Sequence, residues 1–212
     1  MLLCDYNYNF SHRVGDKMGS AFTEEEKKII REQLKKAARE YMIQYGIKKT
    51  TVDDLVQKVG ISKGAFYKFY GSKELLFFEV IEDFHEEFYA VALKVLKERT
   101  DLDLKDRVEL AIWESIRYIQ EAPIMFHVKD EMPYLLRKVP EEILTEHEEA
   151  NHQYVEEIIK AFGIKIAVPE EFIKAFMNVL EILFIHQSSI GEKYFHEILK
   201  LFIKAFVNKV LE

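Results

Sequence analysis

The sequence predicts an all-α protein, and three observations carry that reading. Only four prolines and eight glycines are spread over 212 residues, too few turn formers for a β-sandwich or a barrel. Apolar side chains recur at i, i+3, i+4 and i+7 in one segment after another, as in Val52, Leu55, Val56 and Val59, which is the period of a helix with one buried stripe. The segments are also punctuated as helices are. Thr23, Thr51 and Ser62 stand where a helix would start, and Gly46 and Gly60 where one would stop.

Residues 1–20 show no helical period. Tyr6, Tyr8 and Phe10 alternate, so the stretch is read as a loosely ordered tail, with a short extended arm as the other reading. Thr23 with Glu26 three residues on has the form of a capping box. The helix it opens runs to about Tyr45, with Ile30, Leu34, Ala37, Ala38, Tyr41 and Met42 on one face, and Gly46 ends it. Thr51 opens a second helix, with Asp53 and Asp54 at the positive end of its dipole, and Gly60 closes it. Ser62 caps a third, short helix to about Phe69.

Gly71-Ser72 then breaks the chain and recaps it for a long helix from Lys73 to about Arg99. Another is expected from Leu104 to Glu121, stopped by Pro123. The three-proline segment from Pro123 to Pro140 predicts one or two short helices. Pro140 suits the first position of a helix to Phe162, ended by Gly163. Pro169 starts the next, to about Ser188, and Gly191 separates the last, Glu192 to Leu211. Three divisions follow: a tail at 1–20, a three-helix head at 21–71 and a helical body at 72–212.

Composition narrows the class further. A lone cysteine, Cys4, allows neither an internal disulfide nor a thiolate metal site. Apolar runs are interrupted by charge before the roughly 20 residues that span a bilayer, and the first residues lack the pattern of a signal peptide. A cytoplasmic chain with no membrane partner is expected. The net charge is −7, which at first argues against nucleic acid. Its distribution does not. From Ser20 to Leu75 there are twelve Lys and Arg against eight Asp and Glu, whereas from Leu76 onward there are sixteen against twenty-seven. A mildly basic head is joined to an acidic body.

Two helices of about eight residues joined through Gly60-Ile61-Ser62 cannot fold alone, but packed on the first long helix they form a helix-turn-helix. In the second of the pair, Lys63, Gly64, Tyr67 and Lys68 share one face, and Phe66 and Tyr70 turn toward the core. That face suits a DNA major groove. Gly64 and Ala65 are small enough for the backbone to approach the groove wall, and Lys63 and Lys68 can reach phosphates or guanine acceptors. The amides after Thr51, Ser62 and Ser72 lie at helix N-termini, where phosphate binds. Lys73 opposes the dipole of its own helix, which favours a phosphate partner over a structural one. The other reading of Phe66 to Tyr70 is a core aromatic cluster with lysines on a solvated face.

The stretch from Thr50 to Leu76, "TTVDDLVQKVGISKGAFYKFYGSKELL", closely resembles the helix-turn-helix of the tetracycline-repressor (TetR) family. That family's usual run is a Thr before a Val, a Gly-Val-Ser-Lys-Gly turn, a Leu-Tyr pair, a Phe, then Ser-Lys-Glu-x-Leu. The likeness spans Ile30 to Val80 and takes in Ala37-Ala38 and Gly46. It implies that Thr51, Ser62, Lys63, Gly64, Tyr67 and Lys73 occupy positions that commonly touch DNA, and that Ala65 and Lys68 occupy the more variable base-facing ones. There are departures. Phe69 stands where His or Tyr is usual and has no side-chain donor, Tyr70 replaces the usual Phe, and Val56 replaces a common Ala. Either the polar group has moved by one residue or a contact is lost.

The same resemblance implies that the body binds a small effector and forms a homodimer, so that the chain would be a ligand-responsive regulator on a palindromic double-stranded operator. Repressor is the expected sense, with activator open. The last two helices are apolar over more than one stripe, which suits a four-helix interface between two protomers; the other reading is a monomer that buries both faces. Candidate pocket residues are Phe84, Phe88, Trp113, Tyr118, Met125, Phe126, His127, Met132, Tyr134, Met177 and His186, with the segment between Pro123 and Pro140 as the pocket wall. Core packing is the competing reading for most of them.

The run "HEEANH" from His147 to His152 puts its histidines five apart, on different helix faces. It is read as a solvated acidic face and not as a zinc motif. No nucleophile set, phosphate loop or cofactor motif stands out, so neither an enzyme nor a cofactor is expected. A helical assembly protein with a vestigial DNA-binding head is the alternative.

Overall fold

The computed structural model describes residues 22–185 and 190–211, without the side chains of Phe126, His127, Met177, Glu181, Phe184, Ile185, Glu192 and Lys193. The tail expected at 1–20, His186 and the expected last residues of the penultimate helix lie outside the described residues. The helices are α1 (Glu24–Lys49), α2 (Val52–Val59), α3 (Lys63–Phe69), α4 (Lys73–Glu98), α5 (Leu104–Glu121), α6 (Met125–Leu136), α7 (Glu141–Ala161), α8 (Glu170–Ile185) and α9 (Glu192–Val210). The described chain is all-α. Its one β feature is an isolated antiparallel bridge between Ile166 and Leu211. The three-proline segment forms a single helix, α6, with Pro133 inside it.

Local chemistry sets the boundaries of the head. Thr23 and Glu26 form the expected capping box, with the Thr23 amide donating to Glu26 Oε2 at 2.7 Å and the Glu26 amide to Thr23 Oγ1 at 3.2 Å. Thr51 forms a second box with Asp54, whose Oδ2 accepts the Thr51 amide at 2.8 Å. Those bonds hold the Asp54 carboxyl below the usual range, the Thr51 side chain contributing most. Ser62 accepts the Ala65 amide at 3.1 Å. Gly46, at φ 81° and ψ 176°, interrupts α1, and the chain adds a last turn before Thr50. A side chain would resist that φ, and glycine does not. Gly60 closes α2 in the left-handed conformation, its amide on the Val56 carbonyl at 2.8 Å.

The chain divides into two compact units: one drawn from Met1–Glu87 and Glu121–His152, the other from Phe88–Gln120 and Gln153–Glu212. The first therefore joins the head to the opening turns of α4 and to α6, beyond the sequence division at residue 71. Its core holds Leu34, Ala38, Met42, Ile47, Leu55, Phe66, Tyr70, Leu76 and Phe77, all fully buried. Each buried Leu, Ile, Met and Phe among them contributes roughly 1.5–3 kcal/mol by burial. Along the flank, Arg31, Lys35 and Arg39 of α1 pair with Glu79, Asp83 and Glu87 of α4 at 3.3, 3.1 and 2.6 Å. The constant offset means that α1 and α4 run side by side in the same direction, and the rungs follow the i, i+4 spacing of both helices.

The second unit is organised by α9. Phe195, Leu199, Ile203 and Val207 are buried with Ile116, Phe176 and Leu180 in one cluster. The same helix carries a second apolar row, Tyr194, Ile198, Leu201 and Phe202, that is exposed, and α8 adds Phe172, Val179 and Ile182. The two-stripe character of these helices is thus realised as one buried stripe and one open stripe.

Candidate nucleic-acid interface

Seven residues make α3, and a helical step of about 100° splits them cleanly. Lys63, Gly64, Tyr67 and Lys68 are exposed, while Ala65, Phe66 and Phe69 are buried. Tyr67 is 52% exposed, its ring edge-on to Phe66 at 5.4 Å. The family resemblance implies a base-facing Ala65; the fold turns it inward, because it shares the side of Phe66 and Phe69. Thr51 and Ser62, the caps of α2 and α3, are exposed. Lys63 Nζ bonds Asp53 Oδ2 of α2 at 2.9 Å, and Asp53 holds its ammonium more firmly protonated than usual.

Phe69 has a plain role. It is 3% exposed and its ring lies 6.0 Å from that of Phe22. Its lack of a polar group follows from its place in the core. Tyr70 is fully buried, with the Arg31 guanidinium 5.1 Å over its ring. Burial, then the Glu79 carboxylate, pushes the Tyr70 hydroxyl well up.

Lys73 stands differently from the expectation of a phosphate ligand. Its Nζ donates to the carbonyls of Ile47, Lys48 and Thr50 at 2.9, 3.3 and 2.6 Å. The ammonium opposes the dipole of α4 yet sits at the negative, C-terminal end of α1, where a cation is favoured. That second helix end is the structural partner the sequence argument lacked.

The candidate pocket residues divide between the two units. In the first, Phe84 is buried, Met125 and Met132 are half-buried, and Tyr134 donates its hydroxyl to Glu74 Oε1 at 2.9 Å. In the second, Phe88 lies edge-on to Tyr89, Trp113 packs edge-on to His196 with Lys200 Nζ 4.7 Å over its ring, and Tyr118 is half-buried on α5. His127 and Met177 are described as helical backbone alone.

His147 corrects the reading of a solvated face. Its side chain is mostly buried and takes part in a polar cluster with Glu82 and His85 of α4 and Asn151 of α7. Glu82 and His85, three residues apart on α4, have no sequence signal tying them to a histidine some 60 positions on. Among the described residues no group of three or more His, Cys, Asp and Glu is arranged to hold a metal ion, and no helix is long and apolar enough to cross a membrane.

Comparison with known proteins converges on the head. Residues 34–80 match the family model described as bacterial regulatory proteins, tetR family. The chain is 32% identical over 90 residues to an uncharacterized HTH-type transcriptional regulator, YdgC, of Bacillus subtilis (strain 168), a match covering 42% of this chain and 46% of that one, so it spans about half the relative's length. Among solved structures, a TetR transcription regulator from Haloarcula marismortui superposes with a TM-score of 0.61 at 18% identity, covering 87% of this chain and all of that one. RolR in complex with the ligand resorcinol gives 0.56 at 17% identity, covering 89% and 90%. At such identities the structural likeness shows the fold.

Proposed function

We propose that this chain, a member of the tetR family of bacterial regulatory proteins, binds a palindromic operator as a homodimer, represses transcription there, and releases the DNA when a small-molecule effector binds its body. The observation that carries the DNA-binding reading is the exposed face of α3. Lys63, Gly64, Tyr67 and Lys68 stand out from a helix whose other side is anchored by Phe66 and Phe69, with the capped N-termini of α2 and α3 beside them. Lysines and backbone amides so arranged fit phosphate, and the small Gly64 lets the helix approach base edges.

Dimerisation is supported by the open apolar row on α8 and α9, in which Leu201 is 69% and Ile182 56% exposed. Side chains of that size in one row fit an isologous interface between copies of the chain. Two recognition helices would then meet half-sites about 34–36 Å apart. Effector release follows if the effector prefers a protomer geometry that spoils this spacing; the resorcinol complex of RolR supports a small-molecule role for a body of this fold. The setting is the cytoplasm, where the DNA is.

The test uses a duplex of about 30 base pairs enriched from a random pool by the wild-type chain, long enough to carry two half-sites one helical turn apart. Tyr67→Ala abolishes binding to that duplex while sedimentation still reports a dimer. A variant that shifts the duplex as the wild type does would overturn the assignment of this face.

A further inference from the structure

Gly46 to Thr50, the last turn of α1 after its break together with the C-cap, leads to Thr51, the cap of α2, and this connector's backbone is held from two sides. From α6, Glu131 Oε2 accepts the amides of Ile47 at 2.5 Å and Lys48 at 3.2 Å. From α4, Lys73 donates to the three carbonyls of Ile47, Lys48 and Thr50. A carboxylate on the N–H groups and an ammonium on the C=O groups make charge-assisted bonds of complementary sign. The Thr50 hydroxyl adds a bond to the Gly46 carbonyl at 2.8 Å.

The fit around the carboxylate is close. A Cβ built on Gly46 would stand 2.8 Å from Glu131 Oε2, so the absence of a side chain there admits Glu131 as well as the positive φ. Ile47 is fully buried and pins the connector to the core. One turn further along α6, Tyr134 bonds Glu74 of α4 and lies 5.5 Å under Lys48 Nζ. The seating of α6 thus fixes the segment that sets where α2 begins, and α3 follows α2 after a three-residue turn.

We infer that Glu131 is a positioning residue for DNA recognition: from α6 it locks the connector that presents Thr51, α2 and α3 to the duplex. The inference rests on the proposed DNA-binding function. Glu131 acts through the connector and neutralises no phosphate, which gives it a signature unlike that of a contact residue. Without the carboxylate the head samples other orientations, and apparent affinity falls in proportion to the fraction that remains competent. The number of counterions released stays the same, so the slope of log affinity against log salt is unchanged.

The experiment measures anisotropy of the same selected duplex over a salt series for the wild type, Glu131→Ala and the nearly isosteric Glu131→Gln, with hydrogen exchange of the Ile47 and Lys48 amides in parallel. Glu131→Ala should weaken binding by about tenfold at every salt concentration, as expected when about a tenth of the dimers have both heads competent. The slope should stay that of the wild type and both amides should exchange faster. Glu131→Gln, which keeps a carbonyl acceptor, should fall between. Lys73→Met should share the parallel loss, whereas Lys68→Ala should flatten the slope by about 0.9 for each phosphate contact removed. Wild-type affinity in both Glu131 variants despite faster amide exchange would overturn the inference, as would a flattened slope in either. A wild-type chain whose binding is absent or insensitive to salt would instead bring down the DNA-binding reading beneath it.

Discussion

Acidification from pH 6.5 to 4 should remove about 3 kcal/mol of stability through one side chain, His85. Its Nδ1 lies 3.1 Å from His147 Nε2, which Asn151 Nδ2 also approaches at 2.9 Å, while His147 Nδ1 lies 3.1 Å from Glu82 Oε1. With Glu82 accepting the Nδ1 proton, His147 Nε2 is an acceptor for both His85 and Asn151, and the neutral arrangement is satisfied. A second proton on His85 would put a charge in a buried site beside another imidazole. Burial first, and His147 second, pull His85 down from 6.5 to about 4. Between those values the unfolded chain binds the proton and the native chain does not, so stability falls as pH falls and levels off below about 4. At about 1.4 kcal/mol per pH unit, the interval gives the figure above.

Glu79, Asp83 and Glu86 of α4 have carboxyls raised by burial, and they act with the opposite sign, favouring the native state as they protonate. The quantity to measure is therefore the difference between wild type and His85→Asn, whose amide can donate to His147 Nε2 but does not titrate. Urea unfolding followed by circular dichroism, at fixed protein concentration from pH 7 to 4, should show the wild type losing about 3 kcal/mol more than the variant. Parallel profiles would refute the reasoning.

Three further outcomes are expected. Arg31→Ala leaves Glu79, 8% exposed at its side chain, as a buried carboxylate without its cation and should cost about 3 kcal/mol in urea unfolding, most of it recovered in the double variant Arg31→Met, Glu79→Leu. Thr51→Ala removes a cap and half of its reciprocal box and should cost about 1 kcal/mol, whereas Thr51→Ser should cost little. Leu201→Glu places a charge in the open row of α9; sedimentation equilibrium should show the dimer giving way to monomer with the helical circular dichroism spectrum intact.

The head was legible because its signals are local. Thr23 with Glu26, Thr51 with Asp54 and the left-handed turn at Gly60 are each settled within a few residues, and the two faces of α3 follow from helical period. Several surroundings depend on partners distant in sequence. Lys73 reads as a phosphate ligand from its own helix alone, and only the fold brings to it the carbonyls of Ile47, Lys48 and Thr50 at the end of α1. Glu131 meets Ile47 across 84 positions, and nothing in "DEMPY" marks it. His147 looks solvated because its partners Glu82 and His85 sit on α4. The family resemblance makes Ala65 base-facing, whereas the period of α3 groups it with the buried Phe66 and Phe69. The pocket candidates, chosen as aromatic, Met or His positions, fall in both units, and aromatic and Met side chains also fill helical cores.

The most direct test of the central claim is the affinity of the wild-type chain for the selected duplex as a function of salt. Two protomers that each bring Lys63 and Lys68 to phosphate predict a slope of log affinity against log salt of about −3.6 or steeper, at roughly −0.9 per phosphate neutralised. A flat response would contradict the account and favour a helical assembly protein whose DNA-binding head is vestigial.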